Sequence, residues 1–148
     1  MSAAEQPNAK DAKEAQKTRN TPDVFGDHFS HEIIGAAVEV QRELGTGLLG
    51  SAYAAAMALE LEARGLRFQR EVPVRAMYKG QDIGVAYRAD FIVEDAVIVE
   101  LKAQSFPVDV HRAQLLSYLR LAGLGLGLLI NFSEMPLTRT IQRVVNRL

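Results

Sequence analysis

Asp90-Phe91-Ile92-Val93-Glu94-Asp95-Ala96-Val97-Ile98-Val99-Glu100-Leu101-Lys102 reads as two apolar runs joined by a tight polar turn, with one Asp on the first run and Glu-x-Lys on the second. Pairing Val93 with Val97 across the turn sets Asp90 directly opposite Glu100. Strand alternation then puts Arg88, Ile92, Ile98 and Lys102 on the carboxylate face and Phe91, Val93, Val97, Val99 and Leu101 on the other. Like charges directly opposite disfavour strand pairing, and two carboxylates ~5 Å apart at an effective dielectric of ~20 repel by roughly 3 kcal/mol. Something positive belongs between them.

Two readings follow. In the functional one, Asp90 and Glu100 supply hard oxygen ligands to a divalent cation, magnesium or manganese. Lys102, two residues beyond Glu100 and on the same face, then orients an attacking water or stabilises charge building on a phosphoryl group. In the structural one, Arg88 and Lys102 neutralise the carboxylates in a solvated salt-bridge lattice.

The chain has 148 residues, enough for one domain with a buried core. Its 48% hydrophobic and 24% charged content is that of an ordinary globular protein. With no cysteine, disulfides, zinc-thiolate sites and cysteine nucleophiles are excluded, in keeping with a cytoplasmic location. His28, His31 and His111 have no ligand-like spacing. A net charge of -1 requires any nucleic-acid contact to use a local patch, which weakens a binding-only reading more than a catalytic one. No apolar run is long enough to cross a bilayer and no apolar signal stretch opens the chain, so no membrane partner is expected.

Composition divides the chain into a flexible N-terminal arm, residues 1–28, and a domain, residues 29–148. Ser30 is a candidate N-cap for a helix whose inward face is Ile33, Ile34, Ala37, Val38, Gln41 and Leu44, ending at Gly45. A second helix is predicted from Leu48 to Arg64, with Leu49, Ala52, Tyr53, Ala56, Leu59 and Ala63 inward and Gly65 closing it. Residues 67–78 alternate as a strand that Pro73 confines to an edge. Strands over residues 83–93 and 97–103 complete a meander. Asp109 can cap a helix through Ala122, and the apolar run Leu126 to Phe132 suits a strand buried on both faces. Residues 137–148 fit either a helix after Pro136 or, over 140–145, an edge strand.

This order, with Asp90, Glu100-Leu101-Lys102 and Gln114-Leu-Leu-Ser-Tyr118, resembles the GxxExxY family of the PD-(D/E)XK nuclease superfamily over roughly residues 33–146. Matching stretches include Gly45-Thr-Gly-Leu-Leu49, Glu71-Val-Pro-Val74, Tyr87-Arg-Ala-Asp90, Val97 to Ala103 and Gly127 to Phe132. The resemblance implies an α/β class fold (an α+β mixed sheet), with an αβββαβ nuclease-like core and an extra N-terminal helix. It also implies a magnesium site at Asp90 and Glu100, with Lys102, Gln114 and Tyr118 completing the catalytic set. Spacing independently puts Gln114 and Tyr118 on one helix face, where they are otherwise the polar edge of a helix whose Leu115, Leu116 and Leu119 fill the core.

The name-giving motif departs from its pattern. Gly47 and Tyr53 match, but Gly50 stands where the Glu is expected. In the superfamily an acidic residue on this early helix helps hold metal, so the resemblance implies weaker metal binding and catalysis here. Inside a helix, Gly also costs ~1 kcal/mol relative to Ala. Drift in an inactive relative, a deliberate inactivating change and close approach of another chain all stay open, with Glu39 and Glu43 as candidate substitutes.

Arg64, Arg67, Arg70, Arg75, Lys79 and Arg88, with His111 and Arg112, either track a nucleic-acid backbone or are ordinary solvated charges. The leading expectation is a metal-dependent hydrolase of phosphodiesters acting on nucleic acid. The alternative is a catalytically silent nuclease fold that binds or self-assembles, as a homo-oligomer joined through the N-terminal arm. A third possibility is a soluble domain whose charged strand face is only structural.

Overall fold

The computed structural model describes residues 27–105 and 107–147. The N-terminal arm therefore lies outside the described residues, apart from its last two positions. Helix α1 spans Asp27–Leu44 and buries Ile33, Ala36, Ala37, Val40 and Gln41, the spacing of one helical stripe. The helix starts before the expected cap, and Ser30 is buried within it. The stripe is also rotated from the predicted one. Small Ala36 and Ala37 sit in the core, while Val38 and Leu44 are left outside.

After a loop, α2 runs Gly50–Ala63 and buries Tyr53, Met57 and Leu61. Leu49 and Leu59, predicted inward, are 78% and 70% exposed. This helix is rich in Ala and Leu on every side, so its sequence carries almost no phase information.

Strands β1 (Phe68–Tyr78), β2 (Gln81–Val93) and β3 (Val97–Lys102) form the expected antiparallel meander. Tyr78 pairs with Gln81 across Lys79-Gly80, both at positive φ, the backbone that a two-residue hairpin with the native strand twist requires. Helix α3 (Val108–Ala122) crosses over to β4 (Leu126–Asn131), which pairs parallel with β3. Asp109 falls in the first turn of α3, and Pro107 occupies the cap position. A single 3-10 turn, Leu137–Arg139, leads into β5 (Gln142–Val145), antiparallel to β4. The C-terminal alternative thus resolves to the edge strand.

The sheet order is β1-β2-β3-β4-β5, a mixed five-stranded sheet with helices on both faces, as the α/β expectation required. Pro73 sits on edge strand β1, whose ladder also shifts register near Arg75. On one face α1 and α2 pack on Phe91, Val93, Val97, Val99, Leu126, Leu128 and Ile130. On the other, Leu115 and Leu119 of α3 pack on Ala89, Ile98, Leu129 and Val144. Sandwiched between helices, β4 is buried along its whole length, which explains its uninterrupted apolar sequence.

Gln41 supplies the polar tie between the layers. Its Nε2 donates to the Glu134 carbonyl at 2.7 Å and its Oε1 accepts from the Leu137 N–H at 2.9 Å, fixing the β4–β5 connection against α1.

Close approach of α3 to the sheet depends on Gly127. A Cβ added there would meet the Leu115 side chain at 2.8 to 3.0 Å. Gly127→Ala is expected to destabilise the protein by about 1–3 kcal/mol in urea denaturation. Unchanged stability would mean that Leu115 moves aside without loss.

Candidate functional site

All five residues expected at the site, Asp90, Glu100, Lys102, Gln114 and Tyr118, line one cavity of about 340 Å³ between the sheet and α3. Asp90 comes from β2, Glu100 and Lys102 from β3, and Gln114 and Tyr118 from α3. Arg88 lines it too.

The strand backbone is interrupted where the carboxylates sit. Pairing of β2 with β3 follows the expected register from Val93↔Val97 to Phe91↔Val99 and stops there. Beyond that point side chains replace the ladder. The Leu101 N–H donates to Asp90 Oδ2 at 2.8 Å, and the Asp90 N–H donates to Glu100 Oε1 at 3.4 Å. The β1–β2 ladder also omits Glu71 and Asp90, and Glu71 has a φ of 51°. Side-chain alternation slips at this point. Phe91 faces α1 and α2, whereas Ala89 and Tyr87 face α3 together with Ile92.

The slip carries Tyr87 into the site wall, which simple alternation did not foresee. Its ring stacks on Tyr118 with centroids 3.6 Å apart, and its hydroxyl donates to the Tyr118 carbonyl at 3.4 Å. Burial, with the nearby Glu100 carboxylate, raises the pKa of both phenols, so they act as neutral hydroxyls at ordinary pH.

Burial is also the largest influence on Glu100, followed by repulsion from Asp90, and together they push its carboxyl up to about 8. At neutral pH the pair therefore favours a proton on Glu100, as expected of two crowded acids. A divalent cation would remove that conflict. The donor set fits magnesium or manganese, which are commonly bound through one or two carboxylates with water completing the shell. Among the described residues no group of three or more His, Asp or Glu side chains forms a metal-holding cluster.

His111 is another member that sequence reasoning left outside the set. It lines the same cavity and hydrogen-bonds Gln114, while burial and then Lys102 lower its pKa. The signal was present in the spacing, since residues 111, 114 and 118 fall on one helix face.

Half of the basic cluster is committed elsewhere. Arg64 pairs with Glu32 and Glu60, Arg67 with Glu94, and Arg75 with Asp82. Arg112 donates to Gln142 at 3.0 Å. Glu39 and Glu43 are engaged with Arg42 and do not line the cavity, so they do not replace an acid at position 50.

Gly50 is the first residue of α2 rather than an interior one, so the expected interior-glycine penalty does not apply. The loop before it is held by Tyr53, whose hydroxyl donates to the Gly45 carbonyl at 2.8 Å and accepts the Leu48 N–H at 3.2 Å. The Tyr53 ring stacks on Phe132. A Cβ added at Gly50 would meet nothing within 4 Å.

A family model described as the PD-(D/E)XK nuclease superfamily matches residues 27–144. Comparison with curated proteins and with solved structures gave no significant match.

Glu100 gives a stability prediction. Its folded pKa, about 8, lies above the ordinary 4.5, so its ionisation takes nothing from stability well below pH 4.5. The cost grows as pH rises through that window and is complete above about 8. Without divalent metal, Glu100→Gln should therefore be stabilised relative to the parent at pH 8.5 by on the order of a few kcal/mol, with the advantage vanishing near pH 4. Urea denaturation across that range checks it, and a pH-independent difference would refute it.

Proposed function

The chain belongs to the PD-(D/E)XK nuclease superfamily, and from that premise we propose that it hydrolyses phosphodiester bonds of nucleic acid with a divalent cation held by Asp90 and Glu100. We read it as a member of the GxxExxY group in which Gly50 replaces the motif Glu. The carrying observation is the convergence of Asp90, Glu100, Lys102, Gln114 and Tyr118, from two strands and a helix, on one cavity.

Magnesium or manganese, when bound, would stabilise negative charge on the phosphoryl oxygens. The Leu101 N–H fixes the Asp90 carboxylate through one oxygen, leaving the other to face the cavity. Lys102 presents its ammonium to the phosphate and orients the attacking water, whose oxygen bonds to phosphorus as the bond to the leaving oxygen breaks, the water's proton passing to solvent and the leaving oxygen taking one from it. Gln114 and Tyr118 offer an amide and a neutral hydroxyl to the substrate, and the Tyr87 stack stiffens that wall.

One observation favours a second reading. The described residues give the carboxylate pair no third acidic partner, which supports a catalytically silent nuclease fold that binds or self-assembles through residues 1–28. Deleting those residues should then lower the mass in solution by light scattering, and a monomer with and without them would dismiss the assembly.

For the leading reading, cleavage of plasmid, single-stranded DNA and RNA with magnesium or manganese should fall about 100-fold or more in Lys102→Ala, with Asp90→Asn equally impaired. Cleavage that persists in both variants would show that the activity lies outside this site.

A further inference from the structure

A second cavity, of about 400 Å³, adjoins the first and shares Lys102 and His111 with it. Gly50, Gln104 and Ser105 supply its other polar and open positions, and Leu101 and Ala103 its apolar ones. The two differ in charge. The first contains Asp90 and Glu100, whereas among the described residues the second is lined by no Asp or Glu. Lys102 thus stands between a compartment suited to a cation and one suited to an anion.

The wall chemistry of the second compartment is that of a phosphate site. Lys102 contributes an ammonium, Gln104 an amide and Ser105 a hydroxyl, all able to donate to phosphate oxygens. Among the described residues no carboxylate on the wall repels an anion. Gly50 keeps one side open, and the Tyr53 phenol holds the loop leading to it, so the opening is built into the fold.

We propose that the Gly50 cavity is a phosphate subsite, taking the phosphodiester adjacent to the one presented to Asp90 and Glu100 on the same nucleic-acid strand. The subsite rests on reading the first cavity as the hydrolytic centre. It assigns Gly50 a role of its own, because a carboxylate there would occupy an anion's place beside Lys102.

The test is metal-free binding of a short fluorescein-labelled single-stranded oligonucleotide, in EDTA, by fluorescence anisotropy. Gly50→Glu should weaken binding about tenfold and Gly50→Lys should tighten it, with a salt dependence steeper by about one phosphate contact. Gly50→Gln should fall between them. Leu59→Glu, the same negative charge at an exposed position of α2, should stay within about twofold of the parent. Equal weakening by Gly50→Glu and Leu59→Glu would reduce the effect to overall charge and overturn the subsite, as would unchanged or tighter binding by Gly50→Glu. The hydrolytic reading is scored separately by Lys102→Ala cleavage. Selective weakening by Gly50→Glu in a protein that cleaves nothing would keep the subsite as a binding site and discard the hydrolysis.

Discussion

Two hydrogen bonds between side chain and backbone at the Asp90–Glu100 crossing organise much of this protein. Here the β2–β3 ladder stops, and the acidic side chains accept from the N–H groups of Leu101 and Asp90. A continuous ladder would satisfy those N–H groups through main-chain carbonyls and leave two facing carboxylates to repel. By accepting N–H groups, the acids are fixed in position and remain close together. The strain of crowding them is held by the surrounding sheet, whose next residues, Phe91 and Val99, are fully buried.

The rest of the site depends on that interruption. Because alternation slips at Asp90, Tyr87 and Ala89 turn toward α3, and the Tyr87 ring reaches Tyr118. Gly127 sets how near α3 lies, so the cavity's depth is governed by a missing methyl group on β4 as much as by any polar residue. Gln41 and Tyr53 act on the opposite face. One secures the β4–β5 connection and the other the loop that brings Gly50 beside Lys102.

Much of this was legible in the sequence. The Val93–Val97 register, the Pro73 edge strand and the doubly buried β4 follow from period-2 patterning and proline's missing N–H. Alternation put Asp90, Glu100 and Lys102 on one strand face, the family resemblance added Gln114 and Tyr118, and the fold brings all five to one cavity. What escaped was information that periodicity does not carry. An Ala- and Leu-rich α2 has no preferred face by composition, so Leu49 and Leu59 were placed inward when tertiary packing put Met57 and Leu61 there. The slip at Asp90 lies opposite an unusual backbone at Glu71, a residue type giving no warning of positive φ. The pairing of Arg64 with Glu32 and of Arg67 with Glu94, acids distant in sequence, required the fold itself.

Both borders of the sheet are poor templates for another strand. Along β1, Pro73 lacks an N–H to donate and the register shifts near Arg75 disturb the row of main-chain groups. At the other border β5 is only four residues long. Exposed edges of regular geometry invite sheets to grow from one molecule into the next, and these two devices interrupt that growth. The protein can therefore leave apolar side chains such as Met77 and Ile83 exposed on its long hairpin without offering beside them a continuous edge on which aggregates would propagate.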